Sequence, residues 1–418
     1  THPHLPESHS MSLNIALTGL DAANQALSVT SNNLANAATV GFKGSRAEFA
    51  DLFAATQQGV SATAIGNGAR VAEVAQQFTQ GNIENTGNNL DLAVSGNGFF
   101  TLSDNGALTY TRDGEFQLDS TGNVVNAQGL KLQVYPPLAN GGFNTGGLSD
   151  LSLTTNQSAP QATANAQITA NLPANATQPA VAFAPTDPNS YNATTSLTVY
   201  DSLGAAHTAS LYFIKGATAN DWTTQLYVDG NAVGASPYPA LDYTSQGALQ
   251  TPANGQVNYG TYTPATGAAP MNINFDFSNT TQYGNAFGVT AVNQDGFTTG
   301  KLTGISIDAT GVVQARFTNG RSVNLGQIAM TNFANPQGLQ QLGNASWSAT
   351  NSSGAAVAGV AGESGFGSIQ SGSVEESNVD TTAALVDMIT AERNFQANAQ
   401  MIQTDDQTTQ SIINIRGG

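Results

Sequence analysis

Two hydrophobic rhythms divide the chain. Along residues 11–36, MSLNIALTGLDAANQALSVTSNNLAN, leucines fall at Leu13, Leu17, Leu20, Leu27 and Leu34. Steps of four and three, with Asn24 and Ser31 in the missing places, make a helical stripe no wider than a coiled-coil seam. The last forty residues repeat the design. Leu385, Met388, Phe395, Ala399, Ile402 and Ile413 fit the same steps, interrupted by Glu392, Asp406 and Thr409. Asp380 stands where an N-cap belongs, and Arg416-Gly417-Gly418 supplies a cation and glycines at the far end. A helix from Asp380 to Ile415 would run about 54 Å. Both chain ends therefore predict long, thinly amphipathic helices.

Between them the pattern turns to short strands. Asn105-Gly106, Asp113-Gly114, Thr121-Gly122 and Gln128-Gly129 follow one another at intervals of eight, eight and seven residues. Such spacing predicts a hairpin meander with strands like ALTYTRD and EFQLD. The rhythm returns at 295–326 through Asp295-Gly296, Thr310-Gly311 and Asn319-Gly320, and SIDATGVV (306–313) echoes QLDSTGNVV (117–125). Residues 159–290 open on a stretch rich in Pro, Ala and Asn, then continue through strand-like TTSLTVYD and ASLYFIK.

The expected fold class is mixed and mainly β: two β-domains, one nested in the other, between paired N- and C-terminal helices that form a coiled-coil-like inner domain. Residues 1–10 precede Met11 as an extension, native or foreign. Residues 11–36 and 375–418 form the helical domain, and 37–80 a linker. Residues 81–158 and 291–374 form the first β-domain, with 159–290 inserted as an outer one. Gly41, Gly44, Gly59, Gly66 and Gly68 make 37–80 a flexible linker.

Composition narrows the function. Against 28 acidic residues stand only 11 basic ones, a net charge of -17. That leaves no electrostatic footprint for nucleic acid or an anionic membrane. No apolar run approaches the roughly 18 residues that span a bilayer, and no basic-then-apolar secretory signal is present. Cysteine is absent, so no disulfide frames the fold. His2, His4 and His9 sit in the extension, where a short His-rich tract binds metal only incidentally. His207 lies where a turn feeds a strand, a structural or surface position. Zinc sites and nucleophilic triads therefore lack their residues. Acidic residues such as Asp113, Asp119 and Asp295 lie in turns, where solvation accounts for them better than a glycosidase pair does. The glycines of GNGAR (66–70) and SGNGFF (95–100) lack the Lys-Ser/Thr of a phosphate loop. No enzyme, catalytic residue, cofactor or metal is expected.

The terminal stripes are the sharper signal. An intramolecular helix pair fits them, and so does a seam shared with other copies. Two helices with stripes this thin bury little apolar area, and ordering them costs more entropy than that area returns. Neighbours in a polymer would complete the burial. An adhesive extracellular β-protein with helical oligomerisation ends would need only one such stripe.

The N-terminal run from Met11 through ATVGFKGSRAEFADLF closely resembles the rod and hook axial proteins of the bacterial flagellum. So do NLDLAVSGNGFF (89–100), TRDGEFQLDSTGNVVNAQGLKLQVY (111–135) and the closing segment SGSVEESNVDTTAALVDMITAERNFQANAQMIQ, all in the expected order. The large insert is similar to the hook branch of that family rather than its rod branch. The resemblance implies a homopolymer of many copies, a curved flexible tube outside the cell with the terminal helices innermost. It implies torque transmission as a universal joint and a channel for exported subunits. Implied partners are other copies of the chain, the distal rod protein, a hook cap protein, hook-filament junction proteins and the flagellar export apparatus. Neither nucleic acid nor membrane insertion is implied. Export without a cleaved signal follows from the same resemblance, and a rod-type axial role is its alternative.

Overall fold

Helix α1 (Glu7–Ala35) and helix α2 (Thr381–Gly417) bracket a chain that is otherwise β. The structure, a computed structural model, describes residues 7–52, 66–153, 157–363 and 365–417, without the side chains of 7–12, 412, 413, 416 and 417. Helix α1 begins four residues before Met11, so part of the expected extension is helical. The Asp380 carboxylate accepts the amides of Thr382 (2.8 Å) and Ala383 (3.1 Å), capping α2.

The described residues form two compact units. A helix-bearing unit comprises the described parts of 1–154, 305–315 and 323–418. A sandwich unit comprises those of 155–304 and 316–322. The insertion therefore extends beyond the expected 159–290. The reason is pairing: strand Gly288–Gln294 lies antiparallel to Asn165–Pro173, with Ile168 opposite Val292, and belongs to the inserted sheet.

In the helix-bearing unit, strand Phe99–Asp104 pairs with Ala107–Thr111, Lys131–Tyr135 and Ser322–Asn332. Asn105 and Gly106, at φ 49° and 102°, make the tight turn that Asn-Gly predicts. Gly122, Gly129, Gly311 and Gly320 also turn the chain at positive φ. The echoed segments share one turn. Asp119 accepts the amides of Thr121 and Asn123 and the Thr121 hydroxyl, and Asp308 accepts the same groups from Thr310 and Val312. These bonds, the Thr121 hydroxyl first, hold the Asp119 carboxyl at about 2. Gly114 and Gly296 are different. Added Cβ atoms there would strike the Leu92 carbonyl and Thr163, so they mark close backbone approach rather than hairpin turns.

Two short pairings join the beginning of this unit to its end. Leu92–Ser95 lies against Ser368–Ser371, and Ile83–Asn85 against Ser373–Glu375, immediately before α2. Phe100, Leu102, Leu132, Val134, Ile328 and Met330 fill the core beneath.

The sandwich unit stacks a six-stranded sheet against a five-stranded one. The first runs through Ala193–Tyr200, Ala206–Lys215 and Asp221–Val228. The second is built on Asn165–Pro173, Gln256–Tyr262 and Met271–Asp276. Burial alternates along both Asn165–Pro173 and Ala206–Lys215, the period of a strand with one face inward. Phe213, Trp222, Leu241, Phe275 and Phe277 are fully enclosed. Tyr259 donates to the Thr224 hydroxyl (2.6 Å) and Tyr243 to Thr280 (2.8 Å), so both buried phenols are satisfied. Burial pushes the Tyr243 phenol up to about 12.

Candidate assembly interface

The two terminal helices pack together, and alanines hold the most enclosed places along the apolar stripe. Ala16 and Ala23 on α1 are buried, and so are Ala384 and Ala391 on α2. Each pair is spaced by seven residues, one heptad position. Gly19 meets Asn398, where a Cβ would stand 2.7 Å from the amide oxygen. A seam of such small residues lets helices approach closely while burying little apolar area.

Leu20, Leu27 and Leu34 lie within about 40° of Ala16 around α1, and Met388, Phe395 and Ile402 within about 40° of Ala384 around α2, so most of the expected interface residues share this seam. Leu20, Leu27, Leu34, Met388, Phe395, Ala399 and Ile402 are half-buried, and the Ile413 side chain lies outside the described residues. Leu13, Leu17 and Leu385 are exposed, as are Val386, Ile389 and Met401. Ile389 lies about 140° around α2 from Ala384, so the helix carries apolar surface away from α1 as well. The leucine stripe therefore runs along the packed face, and what it left out are the buried alanines within it, ordinary residues in any helix. Asn398 offered no signal beyond being one amide among many.

Residues 37–80, expected as a flexible linker, contain an antiparallel hairpin. Ser45–Asp51 pairs with Ala69–Gln76, with a bulge between Glu48 and Phe49. The hairpin lies against α1, and a two-stranded ribbon requires that kind of support. Its glycines allow contact rather than freedom. At φ 68°, Gly41 sits against the Asp113 backbone; at φ 100°, Gly68 sits against Thr18; Gly44 approaches Val379. Gly66 is half-buried just before the second strand, and Gly59 lies outside the described residues. A groove of about 670 Å³ runs between α1, α2 and the hairpin, lined by Ala22, Ala26, Phe49, Val379 and Ala383 among others.

A buried charge cluster fixes both helices' roots to the β-structure. Glu375 is wholly enclosed and takes Lys43 at 2.7 Å and Arg112 at 3.0 Å on its two oxygens. Lys43 also donates to the Thr79 carbonyl (2.7 Å), Arg112 to Gly96 (2.7 Å), and the Gly81 amide to Glu375 (2.9 Å). Burial pulls the Lys43 ammonium and the Arg112 guanidinium below their ordinary values, with Glu375 opposing. Two amides complete the joint. Asn33 grips Ser45 through both its backbone groups (2.9 and 2.6 Å). Asn378 accepts from Gly44 (2.8 Å) and donates to Gln77 (2.6 Å). Lys43 and Glu375 are 332 positions apart, and no periodicity relates them.

Among the described residues no helix is long and apolar enough to cross a membrane, and no group of three or more His, Asp or Glu is placed to hold a metal ion.

Comparison with known proteins follows the same architecture. Residues 13–43 match the family model described as flagella basal body rod protein, and 93–182 the flagellar hook protein FlgE/F/G D1 domain. Residues 171–297 match the flagellar basal body protein FlaE D2 domain, and 370–415 the flagellar basal body rod FlgEFG protein C-terminal model. The chain is 38% identical to the flagellar hook protein FlgE of Salmonella typhimurium, aligned over 97% of this chain and 100% of that one. It is 39% identical to the FlgE of Escherichia coli at the same coverage. Against the FlgE of Rhizobium meliloti it is 33% identical, over 96% and 97%. A crystal structure of Helicobacter pylori flagellar hook protein FlgE2 shares the fold at TM-score 0.51 and 12% identity, covering 69% of this chain and 99% of that one.

Proposed function

The chain belongs to the flagellar hook protein family, and from that premise we propose that its terminal helices assemble with those of other copies into a tube. One observation carries the reading. The intramolecular seam encloses Ala16, Ala23, Ala384 and Ala391 and leaves Leu20, Leu27, Met388 and Phe395 half-buried, while Leu13, Leu17, Leu385, Val386 and Ile389 remain exposed on the same two helices. Apolar surface of that extent on paired helices is covered by neighbours in a polymer. The subunit's role is mechanical rather than catalytic. The tube bends as a universal joint, transmits motor torque to the filament and leaves a channel for exported subunits.

The half-buried positions Leu20, Leu27, Leu34, Met388, Phe395, Ala399 and Ile402 serve both seams, bridging the alanine contact and the neighbouring subunits. Ile413 extends the second seam. Gly44 and Gly68 set the close packing that keeps the hairpin on the helices and Gly41 the packing on the Asp113 backbone, so bending takes place between subunits and not within this joint. Interfaces poor in charge and rich in Thr, Asn and Gly slide through water-mediated contacts at small cost. The distal rod protein, a hook cap protein, hook-filament junction proteins and the flagellar export apparatus are the partners such a tube meets. The end segments match models shared with rod proteins, and a rod-type subunit would use the same seam. Near-complete alignment to hook proteins favours the hook.

Removing residues 404–418 tests the assembly. Sedimentation and electron micrographs of the truncated chain should show tubes lost while the β-structure keeps its circular dichroism. Normal tubes would overturn the reading.

A further inference from the structure

His207 is buried in the sandwich unit with both ring nitrogens on carboxylates. Nδ1 stands 2.6 Å from Asp229 and Nε2 3.2 Å from Asp201. The three residues lie at the ends of strands of the six-stranded sheet. The groups that meet them across the sandwich come from the other sheet. Thr266 donates to the same Asp201 oxygen at 2.8 Å, and the Tyr262 hydroxyl reaches Asp229 at 3.5 Å. Beside them the Ala269 amide donates to the Ser202 hydroxyl (2.9 Å). The ionisable groups facing the imidazole are thus Asp201, Asp229 and Tyr262, with both carboxyls held below the ordinary range by their hydrogen bonds.

A neutral imidazole has one N–H, so it can satisfy only one of two carboxylates, and its other nitrogen would turn a lone pair toward an anion. Only the doubly protonated ring satisfies both. We infer that His207 is a proton-operated brace between the two sheets of this unit. Protonated, it fixes Asp201 and, through Asp201, the segment around Thr266. Deprotonated, it lets go of one carboxylate, and the end of the sandwich loosens.

The electrostatics agree with the geometry. Burial works to lower the imidazole, but the hydrogen bonds and charges of Asp229 and Asp201 outweigh it and leave His207 above 6.5. Burial likewise opposes ionisation of Asp201, yet bonds from Thr266, His207 and the amides of Ala205 and Leu203 hold its carboxyl at about 2. The sign follows. A raised histidine gives stability that is complete below 6.5 and is lost as pH rises through the raised value.

Hydrogen exchange on the full chain tests the brace, following peptides over 196–210 and 260–272 from about pH 6 to about pH 9, corrected for intrinsic exchange. In the wild type their opening should increase by on the order of tenfold or more, the equivalent of one hydrogen bond to a charged group. His207→Gln cannot titrate and should show the opened behaviour at every pH. Identical pH profiles for the two chains would overturn the proposal. A second readout needs no variant fold: with histidine labelled at Cε1, a resonance of the buried ring should titrate above 6.5. If every histidine titrates at or below that value, the brace does not exist.

Discussion

In the sandwich unit Phe213, Trp222 and Phe275 have no exposed surface, whereas on α1 and α2 the buried positions are alanines, and Leu17 and Val386 stand 52% and 58% exposed. The first region finds all its burial within one chain. The second leaves Leu20, Phe395 and Ile402 half-buried and Leu17, Val386 and Ile389 exposed. Enclosing one aromatic ring removes on the order of 150–250 Å² from water, several times what an alanine contributes. The contrast separates a part that folds for its own stability from a part whose exposed apolar side chains are proposed to be covered by other copies.

The largest effect should come from the sandwich. Phe275→Ala removes a ring stacked on Phe277 and set edge-on to Tyr259, and should cost about 3–5 kcal/mol. Urea unfolding followed by hydrogen exchange should place that loss within 155–304, leaving protection in the helix-bearing unit unchanged. If both units loosen together, the sandwich is not self-sufficient and the contrast fails.

A smaller effect should come from the helical seam. Ala391 is buried where α2 meets α1, at the wall of the groove, and a leucine there adds three carbons beside the facing helix. Ala391→Leu should cost about 1–3 kcal/mol through overpacking, read as a lower melting temperature of the helical signal. A variant as stable as the parent would mean that alanine does not set the helix spacing.

Much of this arrangement was legible in the chain, where local chemistry decides it. Asn105-Gly106 makes the turn its φ values demand, Asp380 caps α2, and the DSTG and DATG echo marks one shared turn. Legibility ends where a residue's role is set by what arrives from far along the chain. Gly114 looks like a turn glycine until the Leu92 carbonyl is seen against it. Lys43, a cation set between Gly41 and Gly44, is a buried partner of Glu375. The alanines of the seam keep the heptad register of the leucines, and it is their residue type, common in this chain, that made them easy to pass over.

The smallest effect on the free chain should be the most informative. Ile389 is 49% exposed and lies on the side of α2 turned from Ala384. Replacing it with serine removes no intramolecular core, so the stability of the monomer should change by no more than about 0.5 kcal/mol. In a tube the same side chain is covered by a neighbour. Burying it there is worth about 1.5–3 kcal/mol, so the critical concentration for assembly should rise roughly tenfold to a hundredfold. Glu392→Gln, exposed one turn further along α2, serves as the control, because it alters a charge and leaves apolar area intact. Sedimentation of assembled material against free chain measures both variants. Unchanged assembly in Ile389→Ser would show that the outward face of α2 stays bare in the polymer. The exposed leucines of α1 would then carry more of the apolar surface offered to neighbours, and the contrast between the two regions would rest mainly on that helix.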